Sequence, residues 1–236
     1  MSFAPVLHAE WIKIRTLPSL LGALAAILLV TTVFSAVGAA GDADPDPLYS
    51  VFFGVNLGQI AAIAFGTTAV AAEFRGGALR LTLSAVPGRR RWFAAKVTAI
   101  ALPVLAAGFL TGLVTVLVGK AVLGTSGPSW TEGLRGAAGC CLQLTLMALF
   151  AAGLAALLRS GVATLSVLIP FVLIVSFVVG DLSAGVADFL PDRAGQVALH
   201  SAWDGALGPW SGLAVTALWA TAALLAGAWR LDRGDA

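Results

Sequence analysis

The side chains that could carry out chemistry are few, and their spacing matches none of the common catalytic or metal-binding patterns. Cys140 and Cys141 are adjacent in an apolar run, and neighbours on one helix point in different directions, so we interpret them as small packing residues. His8 and His200 lie far apart in the chain. The sequence contains no G-x-x-x-x-G-K-[ST] phosphate loop, no H-E-x-x-H motif and no G-x-S-x-G motif. We therefore expect no catalytic residue, no metal site and no cofactor in this chain.

A second group of residues consists of uncharged polar side chains inside long apolar runs. The candidates are Asn56, Gln59, Thr67, Gln143 and Thr164. A buried amide or hydroxyl in hydrocarbon needs a hydrogen-bond partner, so two interpretations stay open: bonds between helices, worth about 0.6 kcal/mol each, or the lining of a translocation path. No ionisable residue lies deep in any run, which disfavours a proton-coupled or ion-coupled carrier.

The charged segment Glu73–Lys96 interrupts the apolar sequence. It carries six basic residues and one acid, Glu73, and six basic residues at the bilayer centre would cost on the order of 18 kcal/mol. The segment must therefore lie in water or against a protein. We predict a docking helix over Glu73–Ser84 and an anchor at the lipid headgroups over Pro87–Lys96. For Glu73 and Arg75, a helix-end ion pair remains the alternative to partner docking.

The composition indicates the kind of protein that holds these residues. The chain has 236 residues, of which 59% are hydrophobic and 11% charged, and its mean hydropathy is +0.95. A soluble domain usually carries about 25% charged residues. The sequence therefore predicts an all-α polytopic membrane protein with a single domain over residues 1–236. Six uncharged runs are long enough to span a bilayer: Leu17–Gly41, Tyr49–Ala72, Val97–Gly119, Gly136–Leu158, Gly161–Gly180 and Gly205–Trp229.

The distribution of Lys and Arg predicts the orientation of these spans. With the N-terminus and C-terminus in the cytoplasm, eleven of the fourteen basic residues fall inside. Residues 1–16 predict an interfacial helix, with Phe3, Leu7, Trp11 and Ile14 on one face. The segment 73–96 is then a cytoplasmic loop. The segment 181–204 is an extracellular loop, in which two short re-entrant helices would meet at Pro191.

Several motifs resemble the membrane subunits of ATP-binding cassette transporters, of the ABC-2 permease family. They are H-A-E-W-I-K-I-R at His8–Arg15, A-A-E-F-R-G-G-A-L-R at Ala71–Arg80 with P-G-R-R-R-W-F-A-A-K ending at Lys96, F-L-P-D-R-A-G-Q at Phe189–Gln196, and L-G-P-W-S-G-L-A-V at Leu207–Val215. The resemblance follows the order of these motifs along nearly the whole chain. It implies a bacterial plasma-membrane permease with six spans, and export as the direction of transport.

The resemblance also implies partners and residue roles. Separate ATPase subunits would bind ATP and magnesium, and a second copy or a sister permease would complete the path through the bilayer. The implied coupling residues are Glu73, Phe74, Arg75, Gly77 and Arg80, and the implied interfacial-helix residues are Glu10, Trp11, Lys13 and Arg15. The sparse polar lining favours an amphipathic or lipid-like substrate, and nothing indicates nucleic acid. A non-transporting six-helix scaffold or assembly factor is the alternative function, and an intramembrane enzyme ranks behind both.

Overall fold

The computed structural model describes residues 3–41, 46–86, 88–175, 178, 185, 187–202 and 205–233. These residues form helices and connecting turns, with no β-strand among them. The helices are α1 (Phe3–Thr16), α2 (Pro18–Ala40), α3 (Pro47–Phe52), α4 (Val55–Ala71), α5 (Ala78–Ala85), α6 (Arg89–Leu123), α7 (Trp130–Leu158), α8 (Gly161–Pro170), α9 (Pro191–Gln196) and α10 (Pro209–Arg233). The prediction of an all-α membrane protein is confirmed.

Among the residues that the structure describes, five helical segments are long and apolar enough to cross a membrane. They are Pro18–Ala40, Pro47–Phe74, Arg89–Ser126, Trp130–Leu158 and Pro209–Arg233. Each contains a predicted span, apart from differences of a few residues at the ends. The predicted fifth span, Gly161–Gly180, corresponds to a shorter apolar helix over Gly161–Ile174. Residues 176, 177, 179 and 180 of that span lie outside the described residues, as do Pro87 and residues 181–184, 186, 203 and 204 of the predicted extracellular loop.

Proline and polar side chains explain where several helices begin. Pro18 and Pro47 occupy the first turns of α2 and α3, where the missing N–H removes no helical hydrogen bond. Asp46 caps α3 by accepting hydrogen bonds from the backbone N–H groups of Leu48 and Tyr49. Ser129 and Glu132 form a reciprocal capping box at the start of α7. Pro170 ends α8, and a π-helical turn follows it at Phe171–Val175.

Helix α7 lies at the centre of the bundle and packs against α4, α6 and α10, while α2 packs against α4 and α6. Glycines allow these close approaches. A Cβ on Gly66 would lie 2.0 Å from the carbonyl oxygen of Ala148 on α7. Gly54 and Gly58 contact Thr31 on α2, and Gly108 and Gly112 contact α7. The four-residue glycine spacing therefore serves packing within this chain.

Apolar side chains also cover much of the outer surface of the bundle. Leu29 on α2, Leu117 on α6 and Leu225 on α10 are each more than half exposed. In a protein with so few charged residues, such a surface suits contact with lipid rather than water. Together with the long apolar helices, it supports a multi-pass membrane protein.

Candidate functional site

Four charged side chains meet at one end of the bundle and form the candidate functional site. We call Glu10, Lys13, Glu73 and Lys96 the charged cluster. Glu10 and Lys13 come from α1, Glu73 from the 3-10 turn Ala72–Phe74 that ends the second apolar segment, and Lys96 from the second turn of α6. Two acids and two bases give the cluster no net formal charge.

The ion pairs of the charged cluster form a closed network. The Nζ atom of Lys13 lies 2.9 Å from Oε1 of Glu10 and 2.8 Å from Oε1 of Glu73. The Nζ atom of Lys96 lies 2.6 Å from Oε1 of Glu73 and pairs with Oε2 of Glu10 as well. Each acid therefore pairs with both bases, and three chain segments that are distant in sequence are tied together.

Neutral donors complete the network. The indole Nε1 of Trp92 donates to Oε1 of Glu10 at 3.2 Å, and the hydroxyl of Thr82 on α5 donates to Oε2 of Glu73 at 3.2 Å. Trp92 precedes Lys96 by one helical turn, so both reach the cluster from the same face of α6. The Thr82 bond brings α5 into the network as a fourth element.

Burial makes this arrangement energetically sensitive. Glu10, Glu73 and Lys96 are 2%, 4% and 3% exposed. Removing one partner from a buried ion pair leaves an uncompensated charge and typically costs about 3–5 kcal/mol. The Lys13 side chain is 38% exposed. Burial opposes protonation of Lys13, but its hydrogen bonds to Glu73 and Glu10 outweigh that effect and raise the pKa of Lys13 above its ordinary value.

Helix α5 follows the cluster after a sharp turn. Gly76 and Gly77 both have positive φ, 60° and 75°, and no atom lies within 4 Å of a Cβ built on either. The left-handed backbone, rather than crowding, explains glycine at the predicted coupling position Gly77. Leu79 points into the protein, whereas Arg80 is exposed and Leu81 is 73% exposed. Helix α5 therefore presents a mixed apolar and basic face away from the bundle.

The structure separates the predicted coupling and interfacial residues into buried and surface groups. Glu10, Lys13 and Glu73 meet in the cluster. Phe74 and Trp11 are half-buried, and Arg15, Arg75, Gly77 and Arg80 are exposed. Ile14, predicted to share a face with Phe3 and Trp11, is instead buried against the bundle together with Val6 and Glu10.

The predicted anchor over Pro87–Lys96 requires a correction. Residues 89–96 are the first two turns of α6, and Lys96 is buried in the cluster instead of lying at the headgroups. Arg89 and Arg90 bind the end of α10, where Arg89 donates to the carbonyl oxygen of Leu231 at 2.7 Å and Arg90 pairs with Asp232 at 2.7 Å. The prediction missed Lys96 because it was grouped with the neighbouring arginines. The four-residue spacing of Trp92 and Lys96 was the available signal.

The five polar residues predicted for a translocation path do not converge on one cavity. Asn56 and Gln59 line a cavity with Tyr49 and Asp192, at the end of the bundle opposite the charged cluster. Thr67 lines a smaller cavity beside Arg75 and Gly161 at the other end.

The remaining two path candidates bond to protein backbone. The amide of Gln143 donates to the carbonyl oxygen of Asp192 at 3.1 Å, and the hydroxyl of Thr164 donates to that of Ser160 at 2.8 Å. The Gln143 bond joins α7 to α9 and fits the interpretation as a bond between helices, whereas the Thr164 bond is local to the first turn of α8.

A different set of contacts joins the opposite end of the bundle. Asp46 accepts hydrogen bonds from the backbone N–H and the hydroxyl of Ser201 at 2.8 and 2.7 Å, and the His200 ring stacks on Tyr49 with 4.1 Å between centroids. Arg135 donates to the carbonyl oxygen of His200 at 2.6 Å. These contacts fix the segment after α9 to α3 and α7. Within the described ranges, no group of three His, Cys, Asp or Glu side chains could hold a metal ion.

Comparison with known proteins adds no identification: no protein-family model matches the chain, and no curated protein matches it either.

Proposed function

We propose that this chain is the membrane-spanning permease subunit of an ATP-binding cassette transporter that works as an exporter. In this proposal the chain has six spans in a bacterial plasma membrane, with both termini in the cytoplasm. ATP and magnesium bind to separate ATPase subunits, and a second copy or a sister permease completes the path. The resemblance of the motifs named above supports the proposal, and so does the absence of a phosphate loop from the sequence.

The observation that carries the proposal is the attachment of α5 to the bundle. A short helix with an exposed apolar and basic face is linked through Thr82 to the charged cluster, and through the cluster to α1 and α6. A rigid connection of this kind can transmit a displacement of α5 to the membrane-spanning helices. Such a connection is expected for a helix that a partner subunit moves.

In this proposal, exposed residues contact the ATPase and buried residues position α5. Arg75, Arg80 and Leu81 are exposed and would contact the ATPase, whereas the Glu73 carboxylate faces the interior. Glu73 would thus be a positioning residue that holds α5. Phe74 and Gly77 shape the turn that leads to α5.

Helix α1 contributes to the same surface. Glu10 and Lys13 tie it to the cluster, and the exposed Arg15 and half-buried Trp11 remain for contacts with lipid headgroups or the ATPase. The exposed positions of Phe3 and Ile12 suit a helix lying along the membrane surface. At the opposite end, α9 and the 3-10 turns beside it would form the outer re-entrant helices of this proposal.

Co-purification tests the proposal. The chain is expressed together with phosphate-loop ATPases from its own organism, and the wild type is expected to retain one of them in detergent. The double variant Arg75→Ala/Leu81→Ser should weaken the complex at least tenfold, because truncating central contacts typically costs about 2 kcal/mol or more. Both side chains are exposed, so the fold should survive.

Arg90→Ala is the matched control, since it removes a surface arginine of the same end without touching α5. Recovery of the wild-type chain without any ATPase would refute the permease assignment. Equal binding by the double variant and the wild type would refute the assignment of α5 as the docking helix.

A further inference from the structure

A cavity of about 430 Å³ lies at the end of the bundle opposite the charged cluster. Helix α4, the π-helical turn after α8, and α9 form its walls. Its volume falls within the range of about 300–1,000 Å³ that is typical of small-molecule sites. The polar and apolar side chains of its walls define the chemistry of an occupant.

Hydrogen-bond acceptors line one wall. Gln59 is 1% exposed, and its Oε1 atom has no hydrogen-bond partner. One helical turn before it, the Nδ2 atom of Asn56 donates to the Tyr49 hydroxyl at 3.0 Å and to the Phe53 carbonyl oxygen at 3.0 Å. These two bonds use the nitrogen of Asn56, so its oxygen remains for an occupant. A buried acceptor left without a donor is destabilising, and a ligand that donates hydrogen bonds removes that cost.

Two opposite charges lie on the facing wall. Asp192 and Arg193 are consecutive in α9, and both line the cavity; Asp192 is 3% exposed and Arg193 half-buried. Backbone anchors hold this part of α9 in place, since Gln143 donates to the carbonyl oxygen of Asp192 and Thr216 to that of Pro191 at 2.9 Å. The wall therefore offers a carboxylate beside a guanidinium, on a backbone that these two bonds hold in place.

The rest of the lining is apolar and reaches the outer surface of the bundle. Leu57, Val172 and Leu173 line the cavity, and Leu173 is 47% exposed. A polar group in the cavity can thus be continuous with a hydrocarbon tail on the lipid-facing surface. The site suits an amphiphile better than a sugar or a free ion.

We propose that this cavity binds the headgroup of an amphiphile that carries a primary ammonium next to an anionic group, as a phosphoethanolamine does. The ammonium donates to Gln59 and Asn56 and is balanced by Asp192, while Arg193 receives the anionic group. The inference rests on the proposed function in one respect, namely that the transported substrate carries this headgroup. Binding itself requires no ATPase.

Binding to the purified chain in a neutral maltoside detergent tests the inference. The probes are dioleoylphosphatidylethanolamine, the matching phosphatidylcholine, whose quaternary ammonium has no N–H, and the matching phosphatidylglycerol, which has no ammonium. The ethanolamine lipid is expected to bind about tenfold more tightly than either of the others, since each lacks one charge-assisted set of bonds. Equal affinity for the ethanolamine and choline lipids would overturn the assignment.

Variants connect the binding to the cavity. Gln59→Leu keeps the side-chain volume similar and removes the acceptor, so it should weaken binding of the ethanolamine lipid about tenfold. Thr111→Val is the matched control, because it removes a buried oxygen that also has no partner but belongs to α6, away from the cavity. Unchanged binding by Gln59→Leu, with an unfolding midpoint equal to that of the wild type, would overturn the inference.

Tailless O-phosphoethanolamine identifies the source of the headgroup. If O-phosphoethanolamine binds as tightly as the lipid, the ligand is a soluble molecule. If only the lipid binds, the ligand comes from the membrane. Either result supports the headgroup assignment. If the chain distinguishes the lipids but no ATPase is recovered with it, the headgroup site is supported and the permease function is refuted. If an ATPase is recovered but the chain does not distinguish the lipids, the permease function is supported and the headgroup site is refuted.

Discussion

Replacing Lys96 with methionine is expected to destabilise the chain by about 3–5 kcal/mol, because it leaves two buried carboxylates with one partly exposed lysine. Lys96 pairs with both Glu10 and Glu73, and all three side chains are at most 5% exposed. Methionine retains most of the packing of the lysine stem. The decrease in unfolding free energy therefore measures mainly the loss of the lysine charge.

A double-mutant cycle separates the ion pair from other effects of the substitution. The cycle uses Lys96→Met, Glu73→Gln and the combination of both. We expect a coupling free energy of about 1–3 kcal/mol, since residues in direct contact within one network are not additive. The unfolding free energy is measured by denaturant titration in detergent micelles, followed by tryptophan fluorescence.

The pair of Arg90 and Asp232 provides the control for this cycle. Its N–O distance of 2.7 Å is close to that of Lys96 and Glu73, but the Arg90 side chain is 87% exposed. Solvent screening should reduce its contribution to at most about 1 kcal/mol. If Lys96→Met destabilises the chain no more than Arg90→Met, the charged cluster is not the structural tie that we describe.

Two further predictions concern other parts of the bundle. Gly66→Ala should destabilise the chain by about 1–3 kcal/mol in the same titration, since its Cβ would overlap the backbone of Ala148; Gly22→Ala is the control, because a Cβ there meets no atom within 4 Å, and equal effects at both sites would contradict the packing of α4 on α7. Asp46 is buried enough to oppose ionisation, but its hydrogen bonds to Ser201, Leu48 and Tyr49 outweigh this and lower its pKa below the ordinary value of 3.8. Its stabilising contribution is then fully present above pH 3.8 and is lost as the pH falls through the lowered pKa, so Asp46→Asn should flatten that part of the stability–pH curve, and an unchanged curve would count against the contact.

Much of the architecture follows from composition and local pattern. Long uncharged runs predict apolar helices wherever they occur, since a helix satisfies its own backbone hydrogen bonds in lipid. The ends of α2 and α7 lie within a few residues of breaks in the apolar pattern or of capping residues. The same pattern could not place the end of the fifth run, where Pro170 and a π-helical turn interrupt the α-helix.

The candidate site could be predicted only in part. The charges of Glu10, Lys13 and Glu73 mark segments that must leave the hydrocarbon, and the motif resemblance groups them near a coupling segment. Which of these charges are paired depends on the directions in which three separate helical elements approach one another. Lys96 looks like one more member of a basic segment until the packing of α6 turns it towards Glu73.

The sequence by itself therefore determined that this is a multi-pass helical membrane protein whose apolar runs are interrupted by a charged segment, because hydropathy and charge act locally along the chain. The tertiary structure decided which members of that segment are buried as ion pairs and which remain on the surface of α5. It also decided that Asn56 and Gln59 share a cavity with Asp192, whereas Gln143 bonds to backbone. The reason is that burial and pairing depend on contacts between residues far apart in sequence, which no local pattern encodes.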